Sequence, residues 1–229
     1  MKQLPSDFDA TLRPGRFAAA CAYLGAGFSV FRLSPGPKLP ATKWRNSQVT
    51  RPTTPLLESW FAKTENNVGL VLGSVSGNAL ALDFDDRDLA RFAFDLGRLA
   101  QETFVQETPR GYHVLLRTPR GPMATTTHRS HGIPLDLKGE GGYIVAAPSA
   151  LLHGGTYKSL SPGLRVAAVD AREVGAFIAW LESEWPGARA ARRRCDRGVQ
   201  GVFEDFEARD ARPSVLKLAS NPTRRSVQK

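Results

Sequence analysis

The sequence between Ala79 and Asp86, ALALDFDD, has the two-residue period of a β-strand. Side chains alternate across a strand, so its leucines and phenylalanine are expected on one face and Asp83 and Asp85 on the other. The two carboxylates would then lie about 7 Å apart and repel each other unless a cation lay between them. Two interpretations follow: a divalent metal site for phosphate chemistry, or a strand that ends in an acidic turn and caps a helix.

Two later stretches show the same alternation. In YHVLLR, His113, Leu115 and Arg117 share one face, and Tyr112, Val114 and Leu116 the other. In IPLDLKG, Asp136 and Lys138 share one face, and Leu135 and Leu137 the other. If the strands belong to one sheet, this face combines three carboxylates, one imidazole and one or two cationic groups.

Such a face suits a nucleotide bound with divalent cations. The carboxylates can hold one or two Mg²⁺ or Mn²⁺ ions, and His113 and Lys138, with Arg117 as a further candidate, can bind phosphates. A two-metal site supports in-line displacement at phosphorus. The alternatives are a structural strand histidine and a Lys138–Asp136 ion pair of little energetic value.

The positive charge is concentrated near the C-terminus. The formal net charge is +9 and the pI about 10.0, which favours a polyanionic partner. Residues 187–229 contain 11 of the 31 Lys and Arg residues and 5 of the 22 Asp and Glu residues, and so carry +6 of that charge. We expect a catalytic domain over residues 1–186, followed by a basic linker or accessory segment whose Arg192, Arg193 and Arg194 contact nucleic acid phosphates.

Cysteine usage and hydropathy exclude several classes of protein. Cys21 and Cys195 have no paired spacing, so neither a Cys-rich zinc site nor a disulfide framework is expected. No apolar run approaches the roughly 18–20 residues of a membrane span, and the N-terminus lacks the apolar core of a signal peptide. We expect a cytoplasmic protein without membrane association.

The chain alternates pairs of strands with helices. Strand pairs are predicted for residues 68–73 with 79–85, 104–108 with 112–117, and 133–139 with 143–148. Helices are predicted from Pro14 to about Gly25 and over residues 55–63, 87–101 and 171–185. Thr54 is expected to cap the second helix, Asp86 or Asp88 the third, and Asp170 with Glu173 the fourth. This order favours an α/β or α+β fold over a doubly wound parallel sheet.

The polar residues, in this order, resemble a known family. Asp83-Phe84-Asp85, Gly111-Tyr112-His113 and Asp136-Leu137-Lys138 look like the three motifs of the archaeo-eukaryotic primase superfamily, and above all of its bifunctional primase-polymerase (prim-pol) branch in phages, plasmids and integrated elements. The flanks agree over about residues 17–158, including Gly27-Phe28, Lys38, Pro40, Trp44, residues 67–73, Thr108-Pro109, residues 139–143 and Ala147-Pro148-Ser149.

The resemblance implies a fold and residue roles. The fold would be an RRM-like antiparallel sheet packed with a second α/β unit, with the active site in the cleft between them. The metal ligands would be Asp83, Asp85 and Asp136, and the phosphates would meet His113 and, more weakly, Lys138. Further contacts with nucleic acid are expected from Lys38, Lys43 and Arg129. The sequence departs from the family pattern at Gly111, where serine is frequent, and at Asp85, where glutamate is frequent.

The expected activity is synthesis and extension of primers on single-stranded DNA from NTPs or dNTPs, with Mg²⁺ or Mn²⁺. The alternatives are a metal-dependent nuclease and a non-catalytic replication-initiator module that binds DNA. The chain contains no G-x-x-x-x-G-K-[ST] motif, so a helicase module or protein would be a partner in the same replication system. His128-Arg-Ser-His131 has no cysteine partners, so the zinc-binding element of some relatives is not expected. We expect these histidines and Arg129 to lie in a mobile loop near the substrate.

Overall fold

The computed structural model describes residues 15–36, 38–41, 44–152 and 154–187. The helices are α1 (Arg16–Gly25), α2 (Thr54–Phe61), α3 (Arg87–Ala93), α4 (Leu96–Glu102) and α5 (Ala171–Glu184). The strands are β1 (Ser29–Leu33), β2 (Asn67–Val71), β3 (Ala79–Phe84), β4 (Val105–Glu107), β5 (Tyr112–Arg117), β6 (Thr126–Thr127), β7 (Leu135–Lys138), β8 (Tyr143–Ala146), β9 (Lys158–Ser159) and β10 (Ala167–Ala168). In this part of the chain, no helix is both long and apolar enough to cross a membrane.

A seven-stranded sheet is built around β3. Its order is β6-β7-β3-β5-β4-β9, with β10 also paired to β5. The pairs are antiparallel except that of β10 with β5. The face with Leu80, Leu82 and Phe84 packs in a core shared with α3, α4 and α5. The mixed helix and strand content with antiparallel pairing agrees with the predicted α+β class.

A three-stranded sheet of order β1-β2-β8 covers the other face of the larger sheet. Its residues Val30, Val68 and Leu70 share a second core with α1 and α2 and with Ala81 and Leu115 of the larger sheet. Apolar residues therefore cover both faces of β3 along most of its length. The Asp83 end of the strand is the exception, since Asp83 is partly exposed while the preceding residues of β3 are buried.

Two of the three predicted strand pairs are wrong. The β4–β5 pair is confirmed. However, β2 and β3 belong to different sheets and are joined only by one isolated bridge between Gly73 and Ala79. Strands β7 and β8 also belong to different sheets. The short connections instead pass between the sheets and bind each other: the Glu140 carboxylate accepts hydrogen bonds from the Ser74 N–H at 2.7 Å and the Ser74 hydroxyl at 3.0 Å.

The helix capping predictions hold at two positions and fail at one. The Asp86 carboxylate accepts from the N–H groups of Asp88 and Leu89, and Asp170 forms the expected capping box with Glu173. The helix predicted over residues 87–101 is two helices, because the chain becomes extended after α3 and Asp95 caps α4. At α2 the N-cap is not Thr54 but Thr53, and its side chain makes no capping hydrogen bond.

Candidate active site

The register of the larger sheet brings the predicted polar residues together. Because β3 lies between β7 and β5, Asp83 is paired directly with Asp136 on one side and with His113 on the other. Directly paired residues on one face have Cβ atoms about 4.5–5.5 Å apart. Lys138 lies two residues beyond Asp136 and therefore on the same face.

Asp85 follows β3 directly and stays beside this face. Its backbone N–H donates to the Pro134 carbonyl oxygen at 2.9 Å, which extends the pairing by one residue. Its carboxylate forms ion pairs with Arg110, at 2.8 Å, and with Arg129. The adjacent Asp86 turns away to cap α3, so two neighbouring aspartates have different roles in the fold.

Asp136 is held by four polar contacts. Its Oδ1 accepts from the Thr127 hydroxyl at 2.6 Å and from Arg129 Nε at 3.2 Å, and its Oδ2 accepts from Lys138 Nζ at 2.9 Å. Arg129 Nη2 also contacts Oδ2 at 3.4 Å. Burial alone would raise the pKa of Asp136, but the hydrogen bonds from Thr127, Lys138 and Arg129 outweigh it and lower the pKa to about 2.

Asp83 is also ionised at neutral pH. Burial opposes its charge, yet the contact with His113 and the nearby Lys138 bring the pKa of Asp83 below its usual value. The interacting atoms, Asp83 Oδ1 and His113 Nε2, are 3.1 Å apart. Two adjacent carboxylates, Asp83 and Asp136, therefore remain negative side by side, as a cation site requires.

Gln106 fixes the orientation of the His113 ring. It is the residue paired with His113 across β4 and β5. Its Oε1 accepts from the Ala147 N–H at 2.9 Å, so its Nε2 must be the donor to the Val145 carbonyl and to His113 Nδ1, both at 2.7 Å. Since His113 Nδ1 accepts, the neutral ring carries its proton on Nε2, which faces Asp83.

The three carboxylates, His113 and Lys138 line a pocket of about 390 Å³ between the two sheets. Across from the carboxylates, the pocket wall contains Tyr143 and Val145 of β8 together with Trp44. Trp44 is stacked on Phe31, with ring centroids 5.5 Å apart, and contacts the edge of Tyr143 at 4.9 Å. The pocket therefore combines ionised groups on one side with an aromatic surface on the other.

Of the other cations predicted from the sequence, Lys38 and Arg129 line the pocket. Lys38 Nζ lies 5.8 Å from the ring centroid of Tyr157, which is another lining residue. Arg110, which sequence reasoning did not single out, also lines the pocket and binds Asp85. Its position in the turn directly before the strand with His113 is the sequence signal that could have identified Arg110 as a site residue. Lys43, Arg192, Arg193 and Arg194 lie outside the described residues.

The structure does not bring Arg117 to the pocket that the other predicted phosphate-binding residues line. Arg117 shares the face of His113 but lies four residues, or about 13 Å, along β5. It is paired with Ala79, at the opposite end of β3 from Asp83. Its guanidinium is engaged there, since it donates to the carbonyl oxygens of Ala26 at 2.9 Å and Ser76 at 2.8 Å.

Close packing explains the glycine at the position where the family often has serine. A Cβ atom on Gly111 would lie 1.9 Å from the carbonyl oxygen of Phe84, a backbone atom that cannot rotate away. The Gly111 carbonyl oxygen also accepts a hydrogen bond from the Thr108 N–H at 2.9 Å. Any side chain at this position would push β5 away from the end of β3, next to Asp83 and Asp85.

The donor chemistry of the site fits a hard divalent cation. Asp83, Asp85 and Asp136 offer carboxylate oxygens from adjacent segments, and Mg²⁺ and Mn²⁺ prefer oxygen ligands. In the structure the single positive charge of Arg129 is shared between two of the three carboxylates, Asp85 and Asp136. A cation that uses both would compete with this guanidinium.

Comparison with known proteins agrees with the geometry. A search among curated proteins found no match. The family model for the bifunctional DNA primase/polymerase N-terminal domain matches residues 20–173, which span both sheets and every residue that lines the pocket. With the carboxylates, His113 and the intervening pocket inside the matched region, this chain belongs to the bifunctional DNA primase/polymerase N-terminal domain family.

Proposed function

We propose that the protein is a template-dependent nucleotidyltransferase that makes and extends primers on single-stranded DNA. Membership of the family implies DNA primase and polymerase activity, with DNA and nucleotides as substrates. The observation that carries the finer proposal is the direct pairing of Asp83 with both Asp136 and His113 beneath an open pocket. In the proposed reaction, a 3′-hydroxyl attacks the α-phosphate of an NTP or dNTP, the bond to the β-phosphate breaks, and pyrophosphate leaves.

Asp83, Asp85 and Asp136 would hold Mg²⁺ or Mn²⁺, which when bound would lower the pKa of the attacking hydroxyl and neutralise the leaving group. When the nucleotide binds, the His113 Nε2–H, which faces Asp83 in the structure, would instead donate to a phosphate oxygen. Lys138 lies beside Asp136, at 2.9 Å, and would neutralise the same triphosphate.

The aromatic wall supports a role in base binding. Trp44 and Tyr143 line the pocket opposite the carboxylates, and bases stack on aromatic side chains with little dependence on sequence. Lys38 and Arg129 would contact the template or primer backbone. We propose the primase-polymerase arrangement for the fold as well, with the seven-stranded sheet as the RRM-like unit and the β1-β2-β8 sheet in the second α/β unit.

The test is incorporation of labelled nucleotides on a single-stranded template, with and without an annealed primer. We expect metal-dependent products from the wild type and none from the Asp83→Ala/Asp85→Ala double variant. Equal, background-level incorporation by both proteins would refute the proposal. Metal-dependent loss of the DNA without added nucleotide would indicate a nuclease, and DNA binding without metal or synthesis would indicate an initiator module.

We also propose that residues 1–186 form the catalytic domain and that the basic segment, with Arg192–Arg194, increases affinity for DNA. A chain truncated after Pro186 should then extend an annealed primer at high DNA concentration and bind DNA more weakly, with a smaller salt dependence. Loss of extension in the folded truncated chain would place the segment within the catalytic unit.

A further inference from the structure

A second cluster of possible metal ligands lies outside the carboxylate pocket. His128 Nδ1 is 3.0 Å from Glu182 Oε1, and His131 Nδ1 is 2.8 Å from the same oxygen. The three atoms, two nitrogens and one oxygen, all lie within 4.8 Å of one another. Ligands at 2.0–2.1 Å from a tetrahedral zinc ion lie about 3.3 Å apart, so small side-chain movements would suffice to bind one.

We propose that His128, His131 and Glu182 form a binding site for Zn²⁺ or a similar transition metal, separate from the proposed Mg²⁺ or Mn²⁺ site. The two sites differ in donor chemistry. Imidazole nitrogens suit zinc, whereas an all-carboxylate set suits magnesium and manganese. The inference concerns other residues than the proposed catalytic function and does not depend on it.

Local structure directs both histidines to one point. Residues Arg129–His131 form a 3₁₀ turn, in which the His131 N–H donates to the His128 carbonyl at 3.0 Å. Side chains three residues apart eclipse each other in a 3₁₀ turn, so the two rings lie on the same side. The Thr126 hydroxyl, 3.1 Å from His128 Nε2, engages the other nitrogen of that ring and leaves Nδ1 directed at Glu182.

The third ligand comes from a rigid element. Glu182 lies near the end of α5, whose residues Val174, Phe177 and Leu181 are buried in the main core. Burial disfavours its charge, but the two histidines lower the pKa of Glu182 below its usual value, so the carboxylate is anionic at neutral pH. A bound cation would join the 3₁₀ turn to α5 across more than fifty residues of sequence, a pairing that no local motif reveals.

The site leaves a coordination position open. The His131 side chain is 59% exposed, whereas those of His128 and Glu182 are 16% and 22% exposed. Zinc with three protein ligands takes water or a substrate atom as the fourth. Arg129 lies between the two histidines and reaches Asp85 and Asp136, so a metal bound here would also fix the position of Arg129.

The test uses the full chain, stripped with a chelator, reconstituted with Zn²⁺ alone and dialysed. We expect one tightly bound zinc per chain and, at zinc about a hundredfold above its Kd, a rise in Tm of roughly 5–10 °C. Millimolar Mg²⁺ should not displace it. His131→Ala, at a largely exposed position where folding should be preserved, should weaken zinc binding about a hundredfold or more.

Two controls assign the zinc to this cluster. Glu184→Gln removes a carboxylate two residues further along α5, and Asp83→Ala/Asp85→Ala removes two carboxylates of the pocket; both variants should retain the tightly bound zinc. Co²⁺ should give visible d–d bands in the wild type that His131→Ala loses. Absence of tightly bound zinc in the wild type, unchanged binding in His131→Ala, or loss of zinc in the pocket variant would each overturn the proposal.

Discussion

His113 Nε2 and Asp83 Oδ1 lie 3.1 Å apart on residues that are directly paired across β3 and β5. On the other side of the ring, Gln106 holds Nδ1 at 2.7 Å. Gln106 is in turn fixed by two backbone groups, the Val145 carbonyl in β8 and the Ala147 N–H directly after that strand. The histidine therefore links the carboxylate face to the opposite wall of the pocket. The ring that we propose as a phosphate ligand is therefore already held in place by Gln106 and Asp83.

The first prediction concerns this ring. We expect ¹⁵N NMR of the wild type to show His113 in the Nε2–H tautomer. Gln106→Met should produce a mixture of tautomers, raise KM for the nucleotide and destabilise the fold by roughly 1–3 kcal/mol for each backbone group left unpaired. Gln101→Met, at an exposed position in α4, should change none of these three properties. An Nδ1–H tautomer in the wild type would contradict the assignment.

Arg129 should compete with divalent cations. Because it binds Asp85 and Asp136, removing it takes one cationic partner from each carboxylate, while Arg110 still pairs with Asp85 and Lys138 with Asp136. Arg129→Ala should therefore lower the Kd for Mn²⁺ by about three- to tenfold, or roughly 0.7–1.4 kcal/mol. Arg120→Ala, at a side chain that is 87% exposed, is the matched control. The Kd of each variant for Mn²⁺ is measured from the electron paramagnetic resonance signal of free Mn²⁺. Unchanged or weaker Mn²⁺ binding in Arg129→Ala would refute the competition.

Asp136 should make stability depend on pH in the acid range. Its pKa is lowered from 3.8 to about 2, so the folded state favours the ionised form. This contribution is fully present above about pH 4 and is lost as the pH falls towards 2, on the order of 2 kcal/mol in all. Denaturant titrations of Asp136→Asn should show a smaller loss of stability over this range than the wild type. Parallel curves for the two proteins would contradict the interpretation.

Gly111 should not tolerate a side chain. Its φ is not in the positive range, so the reason is the close approach of the Phe84 carbonyl and not backbone conformation. Gly111→Ala should lower the free energy of unfolding by about 1–3 kcal/mol or more. Gly175→Ala, on the exposed side of α5 with no atom within 4 Å of the added Cβ, should raise it by about 0.5–1 kcal/mol. Equal stability of the two variants would remove this explanation for the glycine.

The sequence predicted the polar face but not the whole pocket. The two-residue period placed Asp83, His113 and Asp136 on one face, since alternation depends only on backbone geometry. Arg117 obeys the same alternation but lies at the wrong end of the strand, because alternation says nothing about distance along the sheet. The same two-residue alternation, applied to the short strand β4, places Gln106 on one face, and its pairing with His113 would have identified it as a neighbour of that ring.

Strand partners were harder to predict than strands. The connection after Lys138, with its glycines, has the composition of a hairpin turn, yet it carries the chain to the other sheet. What selects that path is tertiary: Glu140 binds Ser74, and β8 pairs with β2 through contacts distant in sequence. The same limit hid Glu182, which meets His128 and His131 only when α5 packs on the larger sheet.

The central claim is that the carboxylates on β3 and β7 carry the chemistry of nucleotide addition. Its most direct test is the single-turnover rate of adding one nucleotide to a primed template, with saturating Mg²⁺ or Mn²⁺. Asp83→Asn, which keeps the shape of the side chain and removes its charge, should slow this step about a thousandfold, or about 4 kcal/mol. Asp88→Asn, at a side chain that is 83% exposed on α3, should leave it unchanged. A folded Asp83→Asn protein that adds the nucleotide within tenfold of the wild-type rate would contradict the account.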